Sequence, residues 1–322
     1  LSDIECFLAP RGEPDTGKTG DFMSDNGYCQ RLAQQVIALH HSLSGGISPL
    51  KNVSLMYSDK HLTLSPVMYR PGIAILFQGS KTGYLGDVSF SYDPSRYLLL
   101  SVALPVECET HGSREHPLAG LFIDVDMLSV QEMILEIGEQ YDYQPPQLTT
   151  AIHSAELTHD MLRISERLLD MMTRPLEARL LANQVIKEMY FYLLTGPCGR
   201  ALLSLANSQT RISQIAKALR RIEQDYRTGL SIDVLAAEVN MSTSAFYHHF
   251  KTVTQTSPLQ YLKRYRLHEA RRLLAHQQMK AGNAAIEVGY ESVSQFSREY
   301  KRYFGVTPGE EIQRVRQASA DA

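Results

Sequence analysis

Two stretches of the chain, MSTSAFYHHFKTVTQTSP from Met241 to Pro258 and ESVSQFSREYKRYFGVTP from Glu291 to Pro308, align at an offset of 50 residues. Ser242 meets Ser292, Ser244 meets Ser294, Phe246 meets Phe296, Lys251 meets Lys301 and Pro258 meets Pro308, while Phe250 and Tyr300 pair as aromatics. Upstream the offset is 49, which sets Ala236 on Ala285, Val239 on Val288 and Asn240 on Gly289. A repeat of this length is one supersecondary unit used twice. Asn and Gly enter the left-handed conformation more easily than other residues, so each copy predicts a short helix, a left-handed turn and a second helix. Ser231 and Ser242 are the expected N-caps of the first copy, and Ser292 with Gln295 reads as an S-x-x-Q capping box in the second. The pattern is a helix-turn-helix, present twice.

Between the copies, Ser257 as cap and Pro258 at the first position open PLQYLKRYRLHEARRLLAHQ, whose Leu259, Leu262, Ala270, Leu273 and Leu274 mark an apolar stripe. About 18 helical residues span roughly 27 Å. That length suits a strut holding two helices near the roughly 34 Å between successive major grooves on one face of DNA. At about 100° per residue, Phe246, Phe250 and Val253 fall on the inner side of the first recognition helix, with Ser244, His248 and Lys251 opposite and Tyr247 on the flank. The second helix repeats this, with Phe296, Tyr300 and Tyr303 inward, Ser294, Arg298 and Lys301 outward and Ser297 on the flank. The adjacent His248 and His249 therefore point apart, which argues against a shared metal; His249 leans toward the core. Arg298 has the geometry to bond guanine O6 and N7, and His248, Ser244, Tyr247, Ser294, Gln295 and Ser297 are the other candidates for base contact. Lys251, Ser292, Lys301 and Arg302 are the candidates for phosphate. Gln295 is ambiguous, because a side chain spent on its own cap is less free to meet a base.

Charge separates this module from the rest. Residues 211–322 hold 17 basic and 11 acidic side chains, a balance of +6, whereas residues 1–210 hold 15 and 24, a balance of −9. The acidic part opens with a helical pattern (Tyr28, Leu32, Val36, Leu39, Leu43) that SGG at 44–46 ends. Short apolar or alternating runs follow between Val53 and Val125: VSLMY, GIAILFQG, GYLGDVSFSY, RYLLLSVALPVECET and LAGLFIDV. They predict an antiparallel sandwich or barrel. Helical spacing returns at Val130, Ile134 and Ile137, at Leu157, Met161, Ile164 and Leu168, and at Leu176, Leu180, Ile186 and Leu193 after Pro175. TGPCG at 195–199 reads as a helix stop. Helices with faces this wide suggest dimerisation through residues 127–195, or else a simple cover for the barrel.

These residues resemble the AraC/XylS family of transcriptional regulators, whose DNA-binding unit has two helix-turn-helix motifs joined by a long helix. MSTSAFYHHFKTVTQTSPLQYLKRYRLHEARRLL and EVGYESVSQFSREYKRYFGVTP carry the likeness at the C-terminus. YRPGIAILFQGSK, YDPSRYLLLSVALPV and ELTHDMLRISERLLD onward to YLLTGPCGRALL resemble the family's AraC-type N-terminal subgroup. The resemblance implies an α+β chain: a cupin-like β-barrel sensor with a helical dimerisation region at 24–196, a linker at 197–210, and an all-α double helix-turn-helix domain at 211–318. It implies binding to double-stranded promoter DNA, activation through RNA polymerase, a homodimer and control by a small-molecule effector.

Cupin barrels also occur as metal enzymes, which need a close His-x-His pair with a further His and a carboxylate. Residues 1–210 contain no His-x-His, and His111 and His116 stand five apart. No metal, no cofactor and no enzymatic role is expected. A small-molecule site inside the barrel has Tyr69, Arg70, Gln78, Tyr84, Tyr92, Tyr97 and Cys108 as polar or amphipathic candidates, although strand alternation does not fix which face inward without the register. An anionic ligand would need Arg70, Lys81 or a similar cation; an electrophile sensor would use Cys108, which otherwise reads as a small buried residue. The alternative function is a regulator-like protein whose barrel is catalytic or controlled by a protein partner. Four scattered cysteines, no run of about 18 apolar residues and no signal-peptide pattern at the N-terminus predict a cytoplasmic protein with reduced thiols.

Overall fold

A computed structural model describes residues 19–43, 47–137, 150–207, 209–276 and 279–320. The SGG at 44–46 lies outside them. Helix α1 (Thr19–Ser42) precedes eight strands: β1 (Val53–Ser58), β2 (Leu62–Tyr69), β3 (Gly72–Gln78), β4 (Ser80–Leu85), β5 (Val88–Tyr92), β6 (Arg96–Leu100), β7 (Leu104–His111) and β8 (Leu118–Asp124). After α2 (Met127–Ile137) comes a ninth, β9 (Ile152–Glu156). The strands form two antiparallel sheets, a five-stranded one in the order β1-β8-β3-β6-β9 and a four-stranded one in the order β2-β7-β4-β5. The arrangement is the barrel-like double sheet expected from the strand-and-turn spacing.

The central strand β3 is apolar along almost its whole length because both of its faces are covered. Ile73, Ile75 and Phe77, with Leu99, Leu121 and Ile123, belong to a core shared with α1, α3 (His159–Met171) and α4 (Pro175–Thr195). Ala74, Leu76, Leu98, Leu100 and Phe122 alternate with them and meet Tyr69, Leu85, Tyr92, Val106 and Cys108 of the other sheet. Ile186 and Leu193 of α4 are buried as the spacing predicts, but Leu176 and Leu180 are exposed, joined by Leu181 and Phe191. The cysteines Cys29, Cys108 and Cys198 are buried. No helix among the described residues is long and apolar enough to cross a membrane.

The C-terminal part is helical: α5 (Gly199–Ala206), α6 (Arg211–Asp225), α7 (Ile232–Glu238), α8 (Thr243–Thr254), α9 (Pro258–His276), α10 (Ala281–Glu287), α11 (Val293–Phe304) and α12 (Pro308–Ala320). The repeat is structural as well as sequential. Asn240 and Gly289 carry φ of +55° and +86° in the turns between α7 and α8 and between α10 and α11. Phe246 and Phe250 sit 5.4 Å apart at a tilt of 56°, and Phe296 and Tyr300 sit 5.5 Å apart at 58°. Two details of the capping prediction are corrected. Ser231 holds the N-cap position of α7 but its side chain makes no cap bond. Ser292 Oγ accepts the Gln295 amide at 3.3 Å, but the Gln295 side chain donates to Glu299 at 3.1 Å instead of returning to the cap, so only half of the capping box forms.

The barrel and the helical part share one continuous core. Strands β2 and β7 border α9, and β2 also borders α11. Tyr261 of α9, fully buried, donates its hydroxyl to the carbonyl of Ala103 at 3.1 Å.

Candidate nucleic-acid interface

Each recognition helix is set by its own cap and its own aromatic pair. Ser242 Oγ accepts the Ala245 amide at 3.3 Å, which starts α8, and Phe246, Phe250 and Val253 are buried. With that side fixed, Ser244, Tyr247, His248 and Lys251 are exposed. His249 is half-buried and flanked by Arg211 and His248; burial first, then the neighbouring Arg211 and His248 side chains, lower its pKa. In α11 the buried pair Phe296 and Tyr300 leaves Ser292, Ser294, Gln295, Arg298, Lys301 and Arg302 exposed, while Ser297 is half-buried. Tyr303 is half-buried too, and its hydroxyl lies 3.1 Å from His268 Nε2 on the strut. The Gln295 amide is occupied by Glu299, which also accepts from Tyr290 at 2.9 Å and Lys263 at 3.3 Å.

The two helices thus present the same outward pattern: a small hydroxyl, then His248 or Arg298, then Lys251 or Lys301. Base-edge donors followed by cations are what a major groove and its phosphates require. Arg266, at the centre of α9, holds the scaffold behind them. Its guanidinium donates to Tyr226 O at 2.7 Å, Thr228 O at 2.9 Å and Gly289 O at 3.0 Å.

The seven candidates for the small-molecule site divide. Tyr69, Tyr92 and Cys108 come together inside the barrel: the two hydroxyls lie 2.7 Å apart, and the Cys108 thiol lies 3.8 Å from Tyr69 Oη. Arg70 is largely exposed and pairs with Asp124 at 3.2 Å; Gln78 donates to Pro117 O at 2.8 Å; Tyr84 is exposed. Tyr97 is buried on the opposite face of its sheet, in the core shared with α3 and α4. Those four do not join the interior group. Lys81, named only as one choice of cation, does: its ammonium sits 5.5 Å from the Tyr69 ring centre, and burial lowers its pKa. The two-residue turn Gly86–Asp87 sets Lys81 opposite Tyr92, a register readable from the hairpin itself.

A cleft of about 850 Å³ lies between the barrel and α6 and is lined by Ser101, Asp126, Gln214, Arg220, Glu223 and Asn240 among others. Among the described residues no group of three or more His, Cys, Asp or Glu side chains is placed to hold a metal ion.

A double-sheet barrel carrying two matched helix-turn-helix units on one strut defines a DNA-binding regulator. The family model for the AraC-type transcriptional regulator N-terminus matches residues 49–201, and that for a helix-turn-helix domain matches residues 235–314. The chain belongs to the AraC family of transcriptional regulators. It is 26% identical over 244 residues to the thermoregulatory protein LcrF of Yersinia pestis, covering 74% of this chain and 88% of that one. It is 30% identical over 129 residues to the raffinose operon regulator RafR of Pediococcus pentosaceus, covering 40% and 45%. In fold it is similar to ToxT of Vibrio cholerae, solved with an unsaturated fatty acid bound, at a TM-score of 0.57 and 14% identity, covering 81% of this chain and 93% of that one.

Proposed function

We propose that the chain binds promoter DNA through α8 and α11 together, with His248 and Arg298 as the principal base-reading residues. Ser244, Tyr247, Ser294 and Ser297 add base-edge contacts. Lys251, Ser292, Lys301 and Arg302 neutralise or bond phosphates. The observation that carries this reading is that the repeat places like chemistry on the exposed side of both helices. Gln295 contributes less than its position suggests, because its amide is already bonded to Glu299.

The barrel takes a small-molecule effector at the interior group of Tyr69, Tyr92 and Cys108, with Lys81 beside them. The bound ligand in the ToxT structures supports an effector in a fold of this kind. The chain acts in the cytoplasm as an activator that touches RNA polymerase, without enzymatic activity of its own. It works as a homodimer built from residues 127–195. The exposed Leu176, Leu180 and Phe191 along α4 support that surface, and residues 24–196, 197–210 and 211–318 serve as sensor, linker and DNA-binding domain.

The test is a gel-shift titration with duplexes selected from a random library by the full-length protein. Replacing His248 and Arg298 together by alanine is expected to weaken the sequence preference strongly, at about 1–3 kcal/mol for each base no longer read. An unchanged preference overturns the base-reading assignment.

A further inference from the structure

The first recognition helix ends in a conformation that its sequence does not favour. Gln255, the C-cap of α8, has φ of +53°. Fifty residues on, the same position in α11 is Gly305, with φ of +76°. Glycine fits the left-handed region without steric cost, whereas a residue with a Cβ is disfavoured there. The second copy therefore has the expected cap and the first does not.

The surroundings account for the difference. The hairpin between β4 and β5 turns at Gly86, itself at φ +61°, and its tip is pressed against Gln255. A Cβ placed on Gly86 would stand 3.0 Å from the Cβ of Gln255, whereas one placed on Gly305 would meet nothing within 4 Å. Gln255 also anchors itself by donating Nε2 to Thr252 O at 2.9 Å. A strained residue held in place by a neighbouring element is a candidate for a working contact.

This contact joins others that run from the barrel to the helical part. Tyr261 reaches the Ala103 carbonyl from the first turn of the strut, and β2 borders α11. The barrel therefore touches the end of the first recognition helix, the strut and the second recognition helix. It does so from behind. Ser244, His248, Lys251, Ser294, Arg298 and Lys301 stay exposed while it is docked.

We propose that the docked barrel acts as a gauge that fixes the separation and rotation of the two recognition helices, with Gln255 and Tyr261 as the positioning residues through which it acts. The inference rests on α8 and α11 being the helices that enter the grooves. Its partner is a duplex carrying two recognition boxes at one fixed spacing. Lys81 and Tyr92 lie on the inner faces of the same hairpin whose tip meets Gln255. An effector that moves that hairpin would therefore change which spacing is read.

The experiment uses the full-length protein and the duplex it selects most strongly from a random library. Companion duplexes have one base pair added or removed between the two boxes, and binding is measured by fluorescence anisotropy at a single salt concentration. One base pair rotates one box by roughly 34–36° relative to the other. The wild-type chain is expected to bind the altered spacings about tenfold or more weakly. In Gln255→Gly and in Tyr261→Phe that penalty is expected to shrink to about threefold or less. Gln255→Gly is also expected to melt no lower than the wild type, because glycine suits the cap; weaker spacing discrimination in it is then no symptom of damage. Wild-type indifference to spacing overturns the proposal, as do variants that keep the full penalty. Variants that bind every duplex more tightly by the same factor also overturn it, since the barrel would then be a brake.

Discussion

Arg266 donates to the carbonyl of Gly289 at 3.0 Å, which ties the middle of the strut helix to the turn of the second helix-turn-helix. The same guanidinium bonds the carbonyls of Tyr226 and Thr228 at the end of α6 and just beyond it. Three backbone acceptors from two segments converge on one planar fork. Arg266→Ala is expected to cost about 2–4 kcal/mol, since hydrogen bonds from a charged donor contribute about 1.5–3 kcal/mol each and are not additive. Arg266→Lys recovers less than half of that, because an ammonium on a flexible stem does not reproduce the fork. Denaturant unfolding of the full-length variants, followed by circular dichroism, measures both.

The two turns of the repeat differ in what they tolerate. At Gly289, φ is +86° and a Cβ would lie 2.6 Å from the Arg227 carbonyl, a backbone atom with no flexible end to move aside. Gly289→Ala is expected to destabilise by about 2–4 kcal/mol, the sum of the left-handed penalty and the clash. Asn240→Gly, in the matching turn at φ +55°, is expected to fall within about 0.5 kcal/mol of the wild type, because asparagine already tolerates that region. Thermal melts of the two variants side by side check the asymmetry; equal effects would contradict it.

The helical repeat was legible because period, caps and left-handed turns all pointed to one answer. The barrel was legible except at two of its edge strands, β2 and β9. Strand β2 contains Pro66 in mid-run, which argues against a central strand, and it lies at the edge of its sheet, where a missing amide is tolerated. Strand β9, IHSAE, is short and half polar, and it too is an edge. Neither has an apolar run to announce it. The small-molecule candidates were mixed for a related reason: one residue of register moves a side chain to the other face. Tyr97 points to the helical cover, whereas Leu98 beside it points inward. For Gln295 the sequence offered two partners, the backbone N–H of its own cap as a donor and Glu299 one turn on as an acceptor, and the outcome depended on Tyr290 and Lys263 holding that carboxylate in reach.

Two titrating groups pull the stability in opposite directions with pH. Burial, aided by Arg271 and Arg264, lowers the pKa of His268 to about 3. The unfolded histidine binds its proton near pH 6.5, so the stability contributed by the neutral ring is present above that value and is lost as pH falls from about 6.5 toward 3. Burial pushes the Glu223 carboxyl up to about 7, with Arg220 opposing and Glu269 adding. Its folded pKa lies above the unfolded one, so its contribution is most favourable below about 4.3 and is lost as pH rises through 7. Glu223→Gln is therefore expected to stabilise the chain at pH 8, by about 1–3 kcal/mol, and to change it little at pH 4. Melting curves at the two pH values decide it; equal shifts at both would remove ionisation of Glu223 as the cause.

Cys108 is set up as a buried thiol that resists modification. Burial raises its pKa, with Lys81 and the Tyr69 hydroxyl acting to lower it. The thiolate is the reactive form, and Cys108 is only 3% exposed, so both its population and its access are reduced. Iodoacetamide at pH 7.5 is expected to label Cys108 at least about a hundredfold more slowly in the folded chain than in urea, read by peptide mapping so that each cysteine is followed separately. Lys81→Met removes the cation that acts on the thiol and is expected to slow labelling further. If native labelling instead proceeds at the unfolded rate and Lys81→Met abolishes it, Cys108 is an activated nucleophile and the barrel senses electrophiles through it.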